Sequence, residues 1–276
     1  MTLKGSDLYT AGQLTEAIDA MSEEVKSNPT DQARRGFLTE LLCIAGDLER
    51  ADKQLDVLSR QDPKAAAGLG VFRQLVRAEQ ARQQFYSEGR VPEFLIPPDD
   101  HLRAYLEASI LLRDNQPGRA AERLDEAEEK RAPVAGVCNG EPFDDMRDLD
   151  DLTACIFEVL TNNGKYFWVP MHSVLSVEFQ APEHPRDVLW RQAHLSVKDG
   201  PDGEVYFPAI YADAGEAPSD QARLGRSTDW TGGDGAPVRG QGQRTFLIGS
   251  ADRTIMELET LEITQPEMRP GVISES

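Results

Sequence analysis

Five aspartates crowd one short stretch: Asp144, Asp145, Asp148, Asp150 and Asp151. Carboxylates at that density suit two kinds of chemistry, binding a divalent cation through oxygen or general acid–base work. The alternating DxDxDG spacing of a calcium loop is missing. The cluster also stands just before an apolar run, where Asp is expected simply to cap a helix and offset its dipole. His172, His184 and His194 lie further on, but no HxH or HExxH pairing gathers zinc ligands. Ser173 follows His172 without a GxSxG elbow. Gly240-Gln-Gly242, flanked by Arg239 and Arg244, offers the parts of an anion cradle. Glycines that permit a tight strand entry, with arginines paired to nearby acids, account for the same residues. No GxGxxG or GxxxxGKS loop supports a nucleotide site. Cys43, Cys138 and Cys155 are odd in number and widely spaced, which fits free, buried thiols in a reducing cytoplasm.

These residues need a scaffold. The chain has 276 residues with a formal charge of −19. Residues 1–140 hold 24 acidic and 18 basic side chains, residues 141–276 hold 24 and 11, so the acid excess is concentrated in the second half. Such a balance argues against nucleic acid and against an anionic membrane surface. No apolar run is long enough to span a bilayer, and the first residues lack the apolar core of a signal peptide.

An internal repeat organises the first half. Gly12, Leu14, Ala17 and Pro29 recur as Gly46, Leu48, Ala51 and Pro63, each 34 residues on. That is the tetratricopeptide period. The Gly turns between two helices, the small Ala lets them approach, and the Pro ends the second. A third, degenerate copy places Gln116 at the turn, with Ala121 and Pro133 after it. Residues 65–88 read as one helix and 99–113 as another, with a proline-rich break over Val91–Pro98.

The second half reads as mixed α/β. The segment 148–161 predicts an amphipathic helix closed by Asn162-Asn163-Gly164. Strands are expected at Tyr166–Val169, Val174–Phe179, Asp187–Val197, Val205–Ile210, Thr245–Ile248 and Thr254–Ile263, with turns at Asp199-Gly200 and Asp202-Gly203. Residues 212–242 read as a long loop, and the residues from Gln265 onward as frayed. The expected fold class is therefore α+β. A tetratricopeptide-like helical domain over 1–135 precedes a mixed domain with a mainly antiparallel sheet over 136–276.

Several strings in order, Phe143-Asp-Asp-Met-Arg-Asp-Leu-Asp-Asp-Leu152, Asn163-Gly-Lys-Tyr-Phe-Trp-Val-Pro170, Pro185-Arg-Asp-Val-Leu-Trp190, Tyr206-Phe-Pro-Ala-Ile-Tyr211, Leu224-Gly-Arg-Ser-Thr-Asp-Trp230 and Val238-Arg-Gly-Gln-Gly-Gln-Arg244, resemble the ImpE family. These are SciE- or TagJ-type accessory proteins of the bacterial type VI secretion system. The resemblance implies a cytoplasmic, non-enzymatic adaptor with no cofactor, metal or catalytic residues. It implies as partners the N-terminal helix of the small contractile-sheath subunit and the ClpV-type AAA+ ATPase. Trp168, Trp190, Arg226 and Trp230 are the candidate partner-binding residues, because Trp, Tyr and Arg dominate interface hot spots. Two other readings stand beside it: a tetratricopeptide scaffold for another, basic peptide, and a hydrolase or metal enzyme built around residues such as Asp151 and His172.

Overall fold

The computed structural model describes residues 4–212 and 218–265. Its first half is helical. α1 (Gly5–Thr10) pairs with α2 (Leu14–Ser27), and α3 (Gln32–Ile44) with α4 (Leu48–Gln61). The long α5 (Ala66–Glu88) follows, then α6 (Asp100–Arg113) paired with α7 (Pro117–Glu128).

The three hairpins close with one turn repeated. A left-handed residue stands at each, Gly12 (φ 80°), Gly46 (φ 77°) and Asn115 (φ 55°). The next N–H reaches back to the carbonyl five residues earlier: Gln13 to Leu8 at 3.0 Å, Asp47 to Leu42 at 2.9 Å and Gln116 to Leu111 at 2.8 Å. Glycine adopts this conformation without strain, and Asn is among the other residues that tolerate it. The third copy is therefore one residue out of the register expected for it. Asn115, not Gln116, makes the turn, and Ala120, not Ala121, is the fully buried small residue matching Ala17 and Ala51. Pro117 sits where Leu14 and Leu48 stand, at a first helical position whose N–H has no intrahelical partner.

The second half begins with β1 (Gly136–Cys138), β2 (Glu141–Phe143) and β3 (Met146–Asp148). It continues with β4 (Ile156–Leu160), β5 (Tyr166–Pro170), β6 (Val174–Phe179), β7 (Trp190–Val197) and β8 (Asp202–Pro208). A one-turn helix, α8 (Asp220–Arg223), leads to β9 (Thr228–Gly233), β10 (Ala236–Gly242), β11 (Thr245–Ile248), β12 (Ala251–Thr254) and β13 (Thr260–Ile263). Eight strands form one sheet in the order β2-β1-β13-β6-β7-β8-β4-β5, with antiparallel neighbours throughout. β12-β11-β3 and β10-β9 are separate small sheets. The outer edge of β5 is covered by the proline-rich break. Glu93 donates its N–H to Tyr166 O at 2.8 Å and accepts from Trp168 N at 3.1 Å, which blunts an otherwise open edge.

Several expectations fail in this half. Residues 148–161 are not a helix: they hold the end of β3, a 3-10 turn at Asp151–Thr153, and β4. All five residues of β4 are buried because both faces of the strand are covered, so the alternation that marks a strand is lost. Asn162-Asn163-Gly164 accordingly turns the β4–β5 hairpin. The stretch 212–242 contains α8 and the β9–β10 ribbon, turned at Asp234-Gly235. A 3-10 turn at Pro185–Val188 precedes β7, and another at Ile255–Glu257 separates β12 from β13. Asp202-Gly203 lies inside β8 rather than in a turn. Gln265 is held by its side-chain amide, which donates to Val174 O at 2.9 Å; residues 266–276 lie outside the described residues.

Two apolar cores flank the large sheet. One joins the helices to Leu152, Tyr166, Trp168, Trp190 and Ile210. The other lies between the far face and the small sheet of β3, β11 and β12, around Phe157, Phe207 and Phe246.

Candidate functional site

Strand alternation decides what β4 and β5 present to the helices. Phe157, Val159 and Val169 point to the far core, so Ile156, Glu158, Leu160, Tyr166 and Trp168 point to α5. Glu158 thus becomes a buried charge facing a helix. α5 meets it with Arg82, whose Nε and Nη2 donate to the two carboxylate oxygens at 3.0 Å each. Tyr86 Oη donates at 3.0 Å and Tyr166 Oη at 2.5 Å. Arg244 Nη2, from the residue before β11, reaches the same carboxylate. Desolvation alone would raise the pKa of Glu158, but Arg82 and Arg244 outweigh it and hold it down to about 2.

The ion pairs continue outward. Arg244 Nη1 donates to Asp148 Oδ2 at 2.6 Å, and Tyr211 Oη donates to Asp148 Oδ1 at 2.6 Å. Arg239 Nε donates to both oxygens of Asp150 at 2.9 Å, and Gly240 N adds a bond at 3.0 Å. Gly240 is required here, since a Cβ on it would stand 2.3 Å from the Tyr211 ring. On α5, Glu79 accepts from Arg82 Nη1 at 3.1 Å and from Trp190 Nε1 at 3.0 Å. Four buried acids, Glu79, Asp148, Asp150 and Glu158, thus share three buried arginines. For Asp148 burial wins: its pKa is pushed up to about 6 despite Arg244. Desolvation also raises that of Glu79, against Arg82.

The candidates named from sequence separate accordingly. Asp148 and Asp150 are lattice points of this network, and Arg239 and Arg244 are their partners rather than an anion cradle. Asp151 accepts from Val238 N at 2.7 Å and Arg147 Nη2 at 2.8 Å. Asp145 binds Arg131 and caps Val134 N at 2.9 Å. Ser173 Oγ donates to Pro170 O at 2.7 Å, not to His172. His194 lies on the surface against Asp202 at 2.8 Å. Among the described residues no group of three or more His, Cys, Asp or Glu is placed to hold a metal ion. All three cysteines are buried and free, and desolvation drives the Cys43 thiol well above its usual pKa.

Trp168 and Trp190 are buried between sheet and helices at 0% and 1% exposure, so neither offers a partner any surface. Trp168 Nε1 donates to Tyr166 Oη at 2.6 Å. Arg226 reaches back across the chain instead. Its Nη1 and Nη2 donate to Thr10 O at 3.1 Å and Tyr9 O at 3.0 Å, closing the end of α1. Beside it, Asp220 Oδ2 caps the start of α2, accepting from Leu14 N at 2.8 Å and Thr15 N at 3.2 Å. The 219–226 segment thus clasps the first helical hairpin. Trp230 is 42% exposed, its ring set edge-on to Tyr211.

Between α3, α5, α6 and the segments around Tyr211 and Arg239 lies a cleft of about 760 Å³. Sequence reasoning missed its key residues, and it missed Glu158, Glu79 and Arg82. The signal was a lone acid in the run Ile156-Phe-Glu-Val-Leu160, and Glu79 and Arg82 on the apolar stripe of Phe72, Leu75, Val76 and Phe85.

Similarity to known proteins decides the family. The sequence model of the ImpE protein matches residues 140–262. The chain is 32% identical over 257 residues to the type VI secretion system accessory component TagJ of Pseudomonas aeruginosa, covering 93% of this chain and 89% of that one. The chain belongs to the ImpE family. Its fold matches a crystal structure of a protein from Vibrio parahaemolyticus with a TM-score of 0.89 at 28% identity, over 95% of this chain and 98% of that one. The ImpE match holds Asp148, Asp150, Glu158, Arg239 and Arg244, whereas Arg82 and Glu79 come from the helical part that lies before it. The network therefore ties the ImpE segment to its helical neighbour.

Proposed function

We propose that this protein is a non-enzymatic accessory component of a type VI secretion system, working in the cytoplasm as an adaptor. Its partner in this reading is the N-terminal helix of the small contractile-sheath subunit, with a link to the ClpV-type ATPase that recycles sheath. The observation that carries the reading is the identity to TagJ along 93% of the chain. Two structural features support it. The carboxylates suited by type to acid–base work are committed to ion pairs in the interior. The helical hairpins and the cleft beside them offer surface for a helix or peptide. No helix among the described residues is long and apolar enough to cross a membrane. Of the four residues put forward as partner contacts, Trp230 is the aromatic a partner would meet directly.

Calorimetric titration of the whole chain with a synthetic peptide of the small sheath subunit's first helix tests the proposal. Micromolar or tighter binding at one site is expected. No heat at physiological salt would overturn the sheath assignment and make the ATPase the next partner to titrate. The full chain is essential, because cutting near residue 140 would expose the core shared by α5, Trp168 and Trp190.

A further inference from the structure

We propose that residues 181–187 are a displaceable latch: they fill, within the chain, a seat for a guanidinium formed by Glu40 on α3 and Phe72 on α5, and that seat receives an arginine-bearing segment of a partner protein when the latch lifts. The link between β6 and β7 is longer than the fold needs. The two strands are antiparallel neighbours, for which a hairpin of about 2–5 residues suffices. The β4–β5 turn takes only residues 161–165 and the β7–β8 turn only 198–201, whereas the β6–β7 link runs through 180–189. The extra length carries the 3-10 turn Pro185–Val188 out to α3. Long surface connections on a rigid scaffold are where binding residues concentrate.

The seat is built on two helices. Glu40 stands on α3 with 7% of its surface exposed, and Arg186 donates to it from Nη1 at 2.8 Å. The same guanidinium lies over the Phe72 ring, 5.1 Å from its centre. Trp190 backs that ring edge-on at 6.1 Å and is itself held by Glu79 at 3.0 Å. A carboxylate beside an aromatic face suits arginine, which can pair with the one and stack on the other. Burial pushes the Glu40 pKa up against the pull of Arg186. Departure of Arg186 therefore leaves a carboxylate that is costly to keep charged, and an incoming guanidinium relieves that cost.

The latch is lightly held. No residue of the 3-10 turn is buried, and Ala181, Pro182, Glu183 and His184 are exposed. Its shape rests on bonds that do not involve α3: Asp187 Oδ2 accepts from Glu183 N and His184 N, both at 2.8 Å. The firm anchors come after it, at the buried Leu189 and Trp190. Release of 181–187 therefore leaves β7 in place, as a local opening does. The chemistry of the incoming segment is read from the residue that now fills the seat, an arginine on an exposed, extended stretch. The seat does not depend on the sheath-helix assignment.

Fluorescence anisotropy of a labelled peptide with the sequence of residues 181–187, added to the full chain, tests this. A seat already filled lowers the apparent affinity for a competitor by the fraction of chains in which it is open. The peptide should therefore bind Arg186→Ala at least tenfold more tightly than the parent chain. Asp187→Ala loosens the latch but keeps Arg186, and should bind the peptide about threefold more tightly than the parent. It serves as the second opened chain should Arg186→Ala fold poorly. The same peptide with citrulline in place of its arginine should bind either opened chain at least tenfold more weakly, and so should the arginine peptide once Glu40→Gln is added. Binding by the parent as tight as by both opened chains would overturn the latch. No binding by either opened chain, equal binding of the citrulline peptide, or binding undiminished by Glu40→Gln would overturn the seat.

Discussion

The two faces of the eight-stranded sheet are built on opposite principles. The far face is mainly apolar, with Phe157, Phe179, Phe207 and Val177 packed under the small sheet, and its buried Arg191 is met by the Ile255 carbonyl and the Phe179 ring rather than by an acid. The face toward the helices mixes Trp168 and Trp190 with the ion pairs of Glu158, Arg82 and Arg244. Apolar packing tolerates exchange of similar shapes, whereas a buried charge tolerates no loss of its partner. The helix-facing side thereby fixes one docking geometry between the halves, because Arg82 must meet Glu158 for either to be satisfied.

The largest effect is expected from removing one partner on the charged face. Arg82→Ala leaves Glu158 short of its bidentate partner in the interior and should cost about 3–5 kcal/mol. On the far face Phe207→Leu should cost only about 1 kcal/mol. Urea unfolding of both variants measures the contrast. Equal losses would mean that the ion pairs carry no special constraint. A double variant, Arg82→Met with Glu158→Leu, should recover part of the loss, since neither charge is then left unpaired.

The next effect is in pH. The Glu158 pKa is held at about 2, below its usual 4.5. The stability it contributes is present above pH 4.5 and is lost as pH falls through about 2. Asp148 runs the other way: its pKa is raised from 3.8 to about 6. Its contribution is complete below pH 3.8 and is lost as pH rises through about 6. Its full loss amounts to up to about 3 kcal/mol. Asp148→Asn should therefore flatten the decline between about pH 4 and 6, read as thermal midpoints, and Glu158→Gln should flatten the acid limb. A decline that persists unchanged in Asp148→Asn would show that another group sets it.

The two halves also differ in how far the sequence revealed them. The helical half was legible down to its turns, because Gly12 and Gly46 carry a conformation that little else tolerates. Its third copy slipped by one residue because Asn115 does the same work without being glycine. The strand half hid its elements. β4 is covered on both sides and so reads as a continuous apolar run, and the β9–β10 ribbon is rich in glycine and reads as a loop. The ion-pair network was half visible. Asp148, Asp150, Arg239 and Arg244 stood out as types, but the link to α5 runs through Glu158, whose partner Arg82 stands 76 residues earlier and meets it only in the folded chain. Trp168 and Trp190 stood out because their type suits an interface as well as a core, and the fold buries both.

A smaller effect tests the clasp between the halves. Asp220→Ala removes the cap on Leu14 and Thr15 and should cost about 1 kcal/mol. Arg226→Ala frees the Tyr9 and Thr10 carbonyls and should cost less, since the side chain is exposed. Hydrogen exchange should rise at the α1–α2 turn in both variants and stay unchanged in β4 and β5. Faster exchange throughout would mean that the clasp holds the whole fold rather than its first hairpin.

The smallest effect on stability falls on Trp230, and there the contrast turns from packing to partners. The ring is 42% exposed and touches Tyr211 by its edge alone. Trp230→Ala should shift stability by only about 0.5 kcal/mol, as surface changes away from special features do. If Trp230 is a contact for the sheath helix, the same change should weaken peptide binding by at least tenfold in calorimetry, as removal of an aromatic anchor does. Trp168→Ala should do the reverse, costing about 3–5 kcal/mol of stability by opening a core cavity. Binding by whatever fraction stays folded should remain intact. A Trp230→Ala variant that binds as tightly as the parent would move the contact surface away from the β9–β10 ribbon and toward the helical hairpins.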